Sequence, residues 1–319
     1  MADKNEVLRL MDLAYQARQN LCKMCCSYSG NVHMGGDMSM MEVLTALFHH
    51  TMNVSPELQG DPERDRFILS KGHGAVCMYI VMALKGFFDY EEICSTYGEV
   101  GSKFGQHPCK TRLPMLDVST GSLGHGLPIG VGLAASAKQK GQKHRVFVMM
   151  GDGETCEGSV WEAAMAGRAL HLGNLVGIVD RNKQLMTSFS EDSILLEPYA
   201  DKWRAFGWNV IEVEDGNDMK QVVEALDSIP DSNSDIPTVI ISNSVKGKGV
   251  SKNRLNGIAE VLQKMICRLH YLIWKLLMKS RERSFNMSKS YTLDEYNSAR
   301  TVVGDAITEL GAKDDRVWL

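Results

Sequence analysis

The chain has 319 residues, 44% of them apolar and 23% charged, with a formal net charge of −4. That balance is typical of a folded globular protein and excludes a disordered or fibrous chain. The positive residues are scattered rather than gathered into a stripe, which argues against nucleic acid as a partner.

From the start, Met-Ala-Asp-Lys-Asn-Glu lacks the charged-then-apolar pattern of a secretory signal, so a cytoplasmic protein is expected. Residues from about Asn5 to Ser27 repeat Val7, Leu10, Leu13, Ala14, Ala17 and Leu21 at three- and four-residue steps, which predicts an amphipathic helix. Cys22, Cys25 and Cys26 lie inside that pattern with no second Cys/His pair at zinc-like spacing, so they read as packing residues. All eight cysteines are expected as reduced thiols. A Gly-rich loop, Ser29 to Asp37, precedes a predicted helix from Met38 to Thr51. A short strand follows at Arg66–Ser70, then a helix at His73–Gly86.

After an irregular stretch from Tyr97 to Thr120, a small-residue helix, Gly126 to Lys140, leads to the apolar strand Arg145–Met150. A further helix precedes the strand Leu175–Asp180. Asn209–Glu214, the helix Met219–Ile229 and the strand Pro237–Ser242 come next. Apolar strands separated by helices predict an α/β fold, a doubly wound parallel sheet with helices on both faces. The tail segment 265–278 is apolar but carries Arg268, His270 and Lys275 and is too short to span a bilayer, so no membrane association is expected.

Ligands on such sheets sit at the carboxyl ends of the strands. Gly151-Asp152-Gly153 falls at one predicted strand end, where glycine lets the backbone turn and approach a ligand. Asn182 falls at the end of the next strand, one strand–helix–strand step later. Adjacent parallel strands bring their ends close, so the Asp152 carboxylate, the Asn182 carbonyl and a main-chain carbonyl can share one hard cation. Such a set suits Mg²⁺ or Ca²⁺, with diphosphate oxygens and water completing the shell.

The stretch "GDGETCEGSVWEAAMAGRALHLGNLVGIVDRN" resembles the thiamine-diphosphate-binding domain of transketolases, in particular the short N-terminal subunit of transketolases split into two chains. Four further segments carry the same resemblance: "SGNVHMGGDMS", "ILSKGHGA", "GSKFGQHP" and "TGSLGHGL". The resemblance implies thiamine diphosphate as cofactor and transfer of a two-carbon ketol unit from a ketose phosphate to an aldose phosphate, chemistry of the pentose phosphate pathway. It maps substrate-side histidines onto His33 and His107. It places His73, Gly121, Leu123, Gly124, Gly153, Glu154 and Asn182 around the cofactor, with Asp152, Asn182 and the Gln184 carbonyl on the metal. Glu157 maps onto an acid that relays protons between active sites across a dimer interface; the bland alternative is a first-turn glutamate favoured by the helix dipole. His49, His50, His144 and His171 match no such segment and are expected at the surface or in caps.

The glutamate that activates the cofactor comes, in that family, from a separate pyrimidine-binding domain. This chain therefore needs as its partner a pyrimidine-domain (C-terminal transketolase) subunit, in a homodimer or heterotetramer, with sugar phosphates as substrates. Domain expectations are a thiamine-diphosphate-binding domain over 1–250, a divergent or frame-shifted linker over 251–286, and a fragment resembling the start of the pyrimidine-binding domain over 287–319. The linker is basic and apolar where the family has a Trp-His pair and an acidic helix, and reading its codons one base back permits that pattern. Two rivals stand beside this reading: a 1-deoxyxylulose-5-phosphate synthase-like enzyme, whose His-containing loops differ from these, and a catalytically inactive cofactor-domain remnant acting as an assembly module.

Overall fold

The computed structural model of the chain describes residues 2–249, apart from 29, 31, 186 and 187. The expectations for 251–286 and 287–319 lie outside the described residues.

Helix α1 (Lys4–Ser27) starts where the Asp3 side chain accepts a hydrogen bond from the Asn5 N–H, and it buries Val7, Leu10, Ala14, Ala17, Leu21 and Met24. Its Cys25 is buried, and Cys22 and Cys26 are half-buried thiols, as packing residues should be. The helix expected over 38–51 is broken into α2 (Met34–Ser39), α3 (Met41–Ala46) and a π-helical turn at Leu47–Thr51. Helix α2 begins earlier than periodicity predicts, its first turn closed by the Gly36 and Asp37 N–H groups on the His33 carbonyl at 3.0 and 3.2 Å.

Strand β1 (Arg66–Leu69) leads through a tight turn at Gly72–Gly74 into α4 (Ala75–Leu84). The short α5 (Tyr90–Thr96) went unanticipated, since it buries only Ile93 and so carries no apolar stripe; the Asp89 side chain caps it. Then come α6 (Gly126–Gln139), β2 (Val146–Gly151), α7 (Gly158–Ala169) and β3 (Leu175–Arg181). The remaining elements are α8 (Ser190–Ser193), α9 (Tyr199–Ala205), β4 (Asn209–Val213), α10 (Met219–Asp227) and β5 (Thr238–Asn243).

The five strands form one parallel sheet in the order β1-β2-β3-β5-β4, with Gly151 opposite Asp180 and Asp180 opposite Ser242. Alternate residues face opposite layers. On one side Ile68, Val146, Val148, Met150, Leu175, Val179, Val239 and Ile241 pack with Leu127, Val160, Ala164, Tyr199 and Trp203 from α6, α7 and α9. On the other side Phe67 meets Phe48 edge-on at 5.1 Å, which places the π-helical turn against that face. The fold is thus the expected α/β sheet with helices on both faces. Each fully buried aliphatic side chain in these layers contributes about 1.5–3 kcal/mol.

Aromatic packing reaches the strand ends. Trp161, Trp203 and Trp208 form a chain with ring centroids 5.0 and 5.2 Å apart. The Trp161 indole donates to the Thr155 carbonyl at 2.8 Å, and the Thr155 hydroxyl donates to the Asp152 carbonyl at 2.6 Å. The turn after β2 is therefore anchored from below by the core. His144 departs from expectation: it is buried at 7% exposure just before β2 rather than lying at the surface. Among the described residues no helix is long and apolar enough to cross a membrane.

Helix α6 crosses β2 at Gly130, where an added Cβ would stand 2.5 Å from Val148 Cγ2. Gly130→Val is expected to cost about 1–3 kcal/mol by overpacking and to lower the melting temperature by roughly 2–10 °C, read by circular dichroism. An unchanged melting curve would contradict this helix–sheet approach.

Candidate active site

The carboxyl ends of β1, β2, β3 and β5 bring most of the predicted residues to one rim of the sheet. Parallel registration of β2 on β3 brings the residue after β2, Asp152, against the turn that follows β3. Its Oδ2 accepts from the Lys183 N–H at 2.8 Å and from the Ser190 hydroxyl at 2.9 Å, and its Oδ1 accepts from the Gly153 N–H at 2.9 Å. Asn182, which directly precedes Lys183, is also buried, and its Oδ1 accepts from the Gln184 N–H at 3.2 Å. The turn closes through Leu185 N–H to Ser188 O and Ser190 N–H to Lys183 O, with Lys183 at φ +62.

The chemistry of this donor set fits a hard divalent ion. Burial pushes the Asp152 carboxyl above its usual range, the Ser190 hydrogen bond opposes this, and the nearby Asp180 charge adds to it. The three donors to Asp152 are all neutral groups, so a cation beside it would supply the compensating charge. Among the described residues no three His, Cys, Asp or Glu side chains cluster to hold a metal, and the expected set contains only one of them.

Glu154 braces the loops. Its Oε1 accepts from the Ser70 hydroxyl and from the Gly124 N–H at 2.9 Å, and its Oε2 accepts from the Gly151 N–H at 3.1 Å. The ends of β1 and β2 and the loop before α6 thus meet on one buried carboxylate. Burial raises its pKa, and the Ser70, Gly124 and Gly151 hydrogen bonds oppose the rise. Gly124 has φ +83, and a Cβ there would stand 2.6 Å from Glu157 Cβ and 2.7 Å from the Ser159 hydroxyl, so only glycine closes this approach. Gly153 lies under the Leu185 side chain.

His33 is the N-cap residue of α2, without a capping hydrogen bond from its side chain, and its ring lies 5.3 Å from that of His73, edge-on. His107 packs on Gly121, where a Cβ would stand 3.0 Å from the His107 ring. Burial, followed by the charges of Lys71, His33, His107 and Lys246, pulls His73 down to about 3, so its ring is neutral at physiological pH. Burial and then His33 lower His107 as well. Leu123 is 36% exposed on the same loop as Gly121. Glu157 is the N-cap residue of α7, yet its side chain makes no capping hydrogen bond and stands exposed.

Several residues of this rim were passed over by sequence reasoning. Lys71, fully buried, donates to Asp180 Oδ2 at 2.5 Å and to the Gly36 carbonyl at 2.9 Å. Asp180 also accepts from the hydroxyls of Ser39 at 2.6 Å and Ser244 at 2.5 Å. Burial alone would raise the Asp180 carboxyl, but Lys71 and the two hydroxyls outweigh it, and the net shift is downward. Lys246 donates to the Leu185 carbonyl at 2.7 Å and adds positive charge near His73. Lys71 sits in the quoted "ILSKGHGA", but nothing in its spacing distinguishes a buried lysine from an exposed one.

A family model described as the transketolase thiamine diphosphate binding domain matches residues 16–260. An apulose-4-phosphate transketolase subunit of Phocaeicola vulgatus is 41% identical over 252 residues, covering 79% of this chain and 83% of that protein. A 6-deoxy-6-sulfo-D-fructose transketolase subunit from a Clostridium species is 38% identical over 219 residues, covering 69% of this chain and 78% of its own. A solved transketolase variant from Pichia stipitis superposes with a TM-score of 0.71 at 22% identity, over 96% of this chain and 47% of that one, a likeness that shows the fold. The chain spans about half the length of that solved protein.

Asp37, in α2, lies beneath the His73 turn. Its Oδ1 accepts from the Cys77 N–H at 3.3 Å, while its Oδ2 is buried without a partner. Burial raises its pKa from 3.8 to about 7, against the pull of Lys71 and the Cys77 bond. A folded-state acid raised in this way costs stability as pH climbs from about 4 to about 7, because the unfolded chain has already released the proton. Relative to the wild type, Asp37→Asn should therefore gain roughly 2 kcal/mol between pH 5 and pH 8, seen as about 4–8 °C in paired melting curves. Parallel curves for the two proteins would contradict the assignment.

Proposed function

This chain belongs to the transketolase family, as a carrier of its thiamine diphosphate-binding domain, and from that premise we propose that it is the cofactor-diphosphate subunit of a split transketolase. It would transfer a ketol unit between sugar phosphates only when a pyrimidine-domain subunit completes the site. The observation that carries this is the meeting of Asp152 with the Asn182–Gln184 turn beside His33 and His73 on a single sheet rim.

In this reading Asp152, the Asn182 side-chain oxygen and the Gln184 carbonyl hold Mg²⁺, or Ca²⁺ in its place. The Gly153 main chain and His73 face the diphosphate. A neutral His73 offers one ring N–H as a donor and one ring nitrogen as an acceptor without bringing a proton of its own to the site. Glu154 fixes the Gly124 loop, with Gly121 and Leu123, against the end of β2. When bound, thiamine diphosphate supplies the carbon nucleophile that adds to a ketose carbonyl and lets the adjacent carbon–carbon bond break. The chain's own contribution is to bind, orient and exchange protons: the ring nitrogens of His33 and His107 take or return a proton at sugar hydroxyl or carbonyl oxygens. Glu157, exposed at the start of α7, is the acid through which protons pass to a second active site once two cofactor domains pair.

The names of the two relatives carry a phosphate or a sulfo group, which supports an anionic sugar as substrate. Assembly is then a homodimer of cofactor subunits or a heterotetramer with the pyrimidine-domain partner, acting in the cytoplasm. Titration calorimetry of the chain with thiamine diphosphate and Mg²⁺ should show binding that Asp152→Ala weakens at least about tenfold. Ketol transfer from xylulose 5-phosphate should appear only after the partner subunit is added. An absence of heat sensitive to Asp152 would favour an inactive assembly module, and condensation of pyruvate with a triose phosphate by the reconstituted enzyme would favour a deoxyxylulose-phosphate synthase.

A further inference from the structure

Asn182 contributes a side-chain amide to the rim, and an amide has two different faces: its oxygen can bind a cation and its NH₂ group cannot. Which face points to the ion is set by what holds each one: among the described residues the oxygen takes a single hydrogen bond, from the Gln184 N–H at 3.2 Å, and the rest of the hold is on the NH₂ group. The Asn182 Nδ2 donates to Asp180 Oδ2 at 3.1 Å and to the Ser39 hydroxyl at 3.4 Å. The same Asp180 Oδ2 receives Lys71 Nζ at 2.5 Å and the Ser39 hydroxyl at 2.6 Å, and Asp180 Oδ1 receives the Ser244 hydroxyl at 2.5 Å. Lys71 and Asp180 are each 1% exposed.

We propose that the buried Lys71–Asp180 ion pair is a positioning device for the metal site, fixing the amide of Asn182 so that its oxygen, and not its nitrogen, is presented to the divalent ion. This inference rests on the reading of Asn182 as a metal ligand. An ionised Asp180 has no proton to give and can only accept, so the NH₂ group must face it. A flipped amide would set its oxygen against Asp180 Oδ2 and leave a buried acceptor unpaired, a costly arrangement. Lys71 keeps the carboxylate charged in a place where a lone charge could not be buried. It also ties three segments together: it follows β1, it bonds to Gly36 at the foot of the His33 loop, and it grips the end of β3. The turn that carries His73 and the turn that carries Asn182 are thus referred to one ion pair.

Orientation predicts something that general loosening does not. Replacing both partners with apolar groups of similar volume, Lys71→Met with Asp180→Val, avoids a lone buried charge and is compatible with folding. In the full-length chain with thiamine diphosphate present, Mn²⁺ titrated by electron paramagnetic resonance should bind about 10–100-fold more weakly to this double variant. Adding Asn182→Asp should abolish most of that loss, because a carboxylate presents oxygen whichever way it turns. A double variant that binds Mn²⁺ like the wild type, or a loss that persists with Asn182→Asp, overturns the inference while Asn182 remains a ligand. A wild-type chain that fails to bind Mn²⁺ with thiamine diphosphate overturns the functional reading and this inference with it. If the double variant does not fold, Ser39→Ala, which removes one acceptor of the amide and one donor to Asp180, should weaken Mn²⁺ about two- to tenfold. An unchanged affinity there overturns the proposal as well.

Discussion

The rim depends on the parallel registration of β2 on β3, which sets Gly151 opposite Asp180. Side chains alternate along a strand, so a one-residue slip would send Asp180 into the apolar layer and carry the Asn182 turn away from Asp152. Registration is held by the buried aliphatic residues of both strands and by the unbroken ladder from Val146–Leu175 to Gly151–Asp180. The polar chemistry at the strand ends is therefore positioned by apolar packing further down the sheet. The Trp161–Thr155–Asp152 chain of hydrogen bonds carries that rigidity the last few ångströms.

Buried charge at the rim is handled in two ways. Asp180 is neutralised internally, by Lys71 and two hydroxyls, and its carboxyl is held below its usual range. Asp152 and Glu154 are surrounded by neutral donors, and burial holds both above it. Asp180, in β3, and Asp152, just after β2, are thus pushed in opposite directions by their surroundings, and the one without a lysine is the one expected to meet a cation.

Glycine serves the site through space rather than flexibility. At Gly121, Gly124 and Gly153 a side chain would run into His107, Glu157 and Leu185 respectively. The loop before α6 and the turn after β2 can then approach their neighbours closely. Glu154 closes the arrangement by accepting from three loops or strand ends at once.

Much of this was determined by the sequence alone. The short apolar runs separated by helical stretches dictated a parallel sheet covered on both faces, and Gly-Asp-Gly followed by Asn one step later located the strand-end pair. Local periodicity failed where few residues are buried, as in α5 with its single buried Ile93, and where the chain breaks for tertiary reasons, as at Met40 between α2 and α3. The motif "ILSKGHGA" was legible as a loop carrying His73, but the importance of its lysine was not. Lys71 and Asp180 lie far apart along the chain, and only folding brings them into a 2.5 Å contact with almost no exposure. A charge's sign and place can be read from a sequence. Whether water remains around it is settled by what packs on top, and that is why the tertiary structure alone revealed the ion pair behind Asn182.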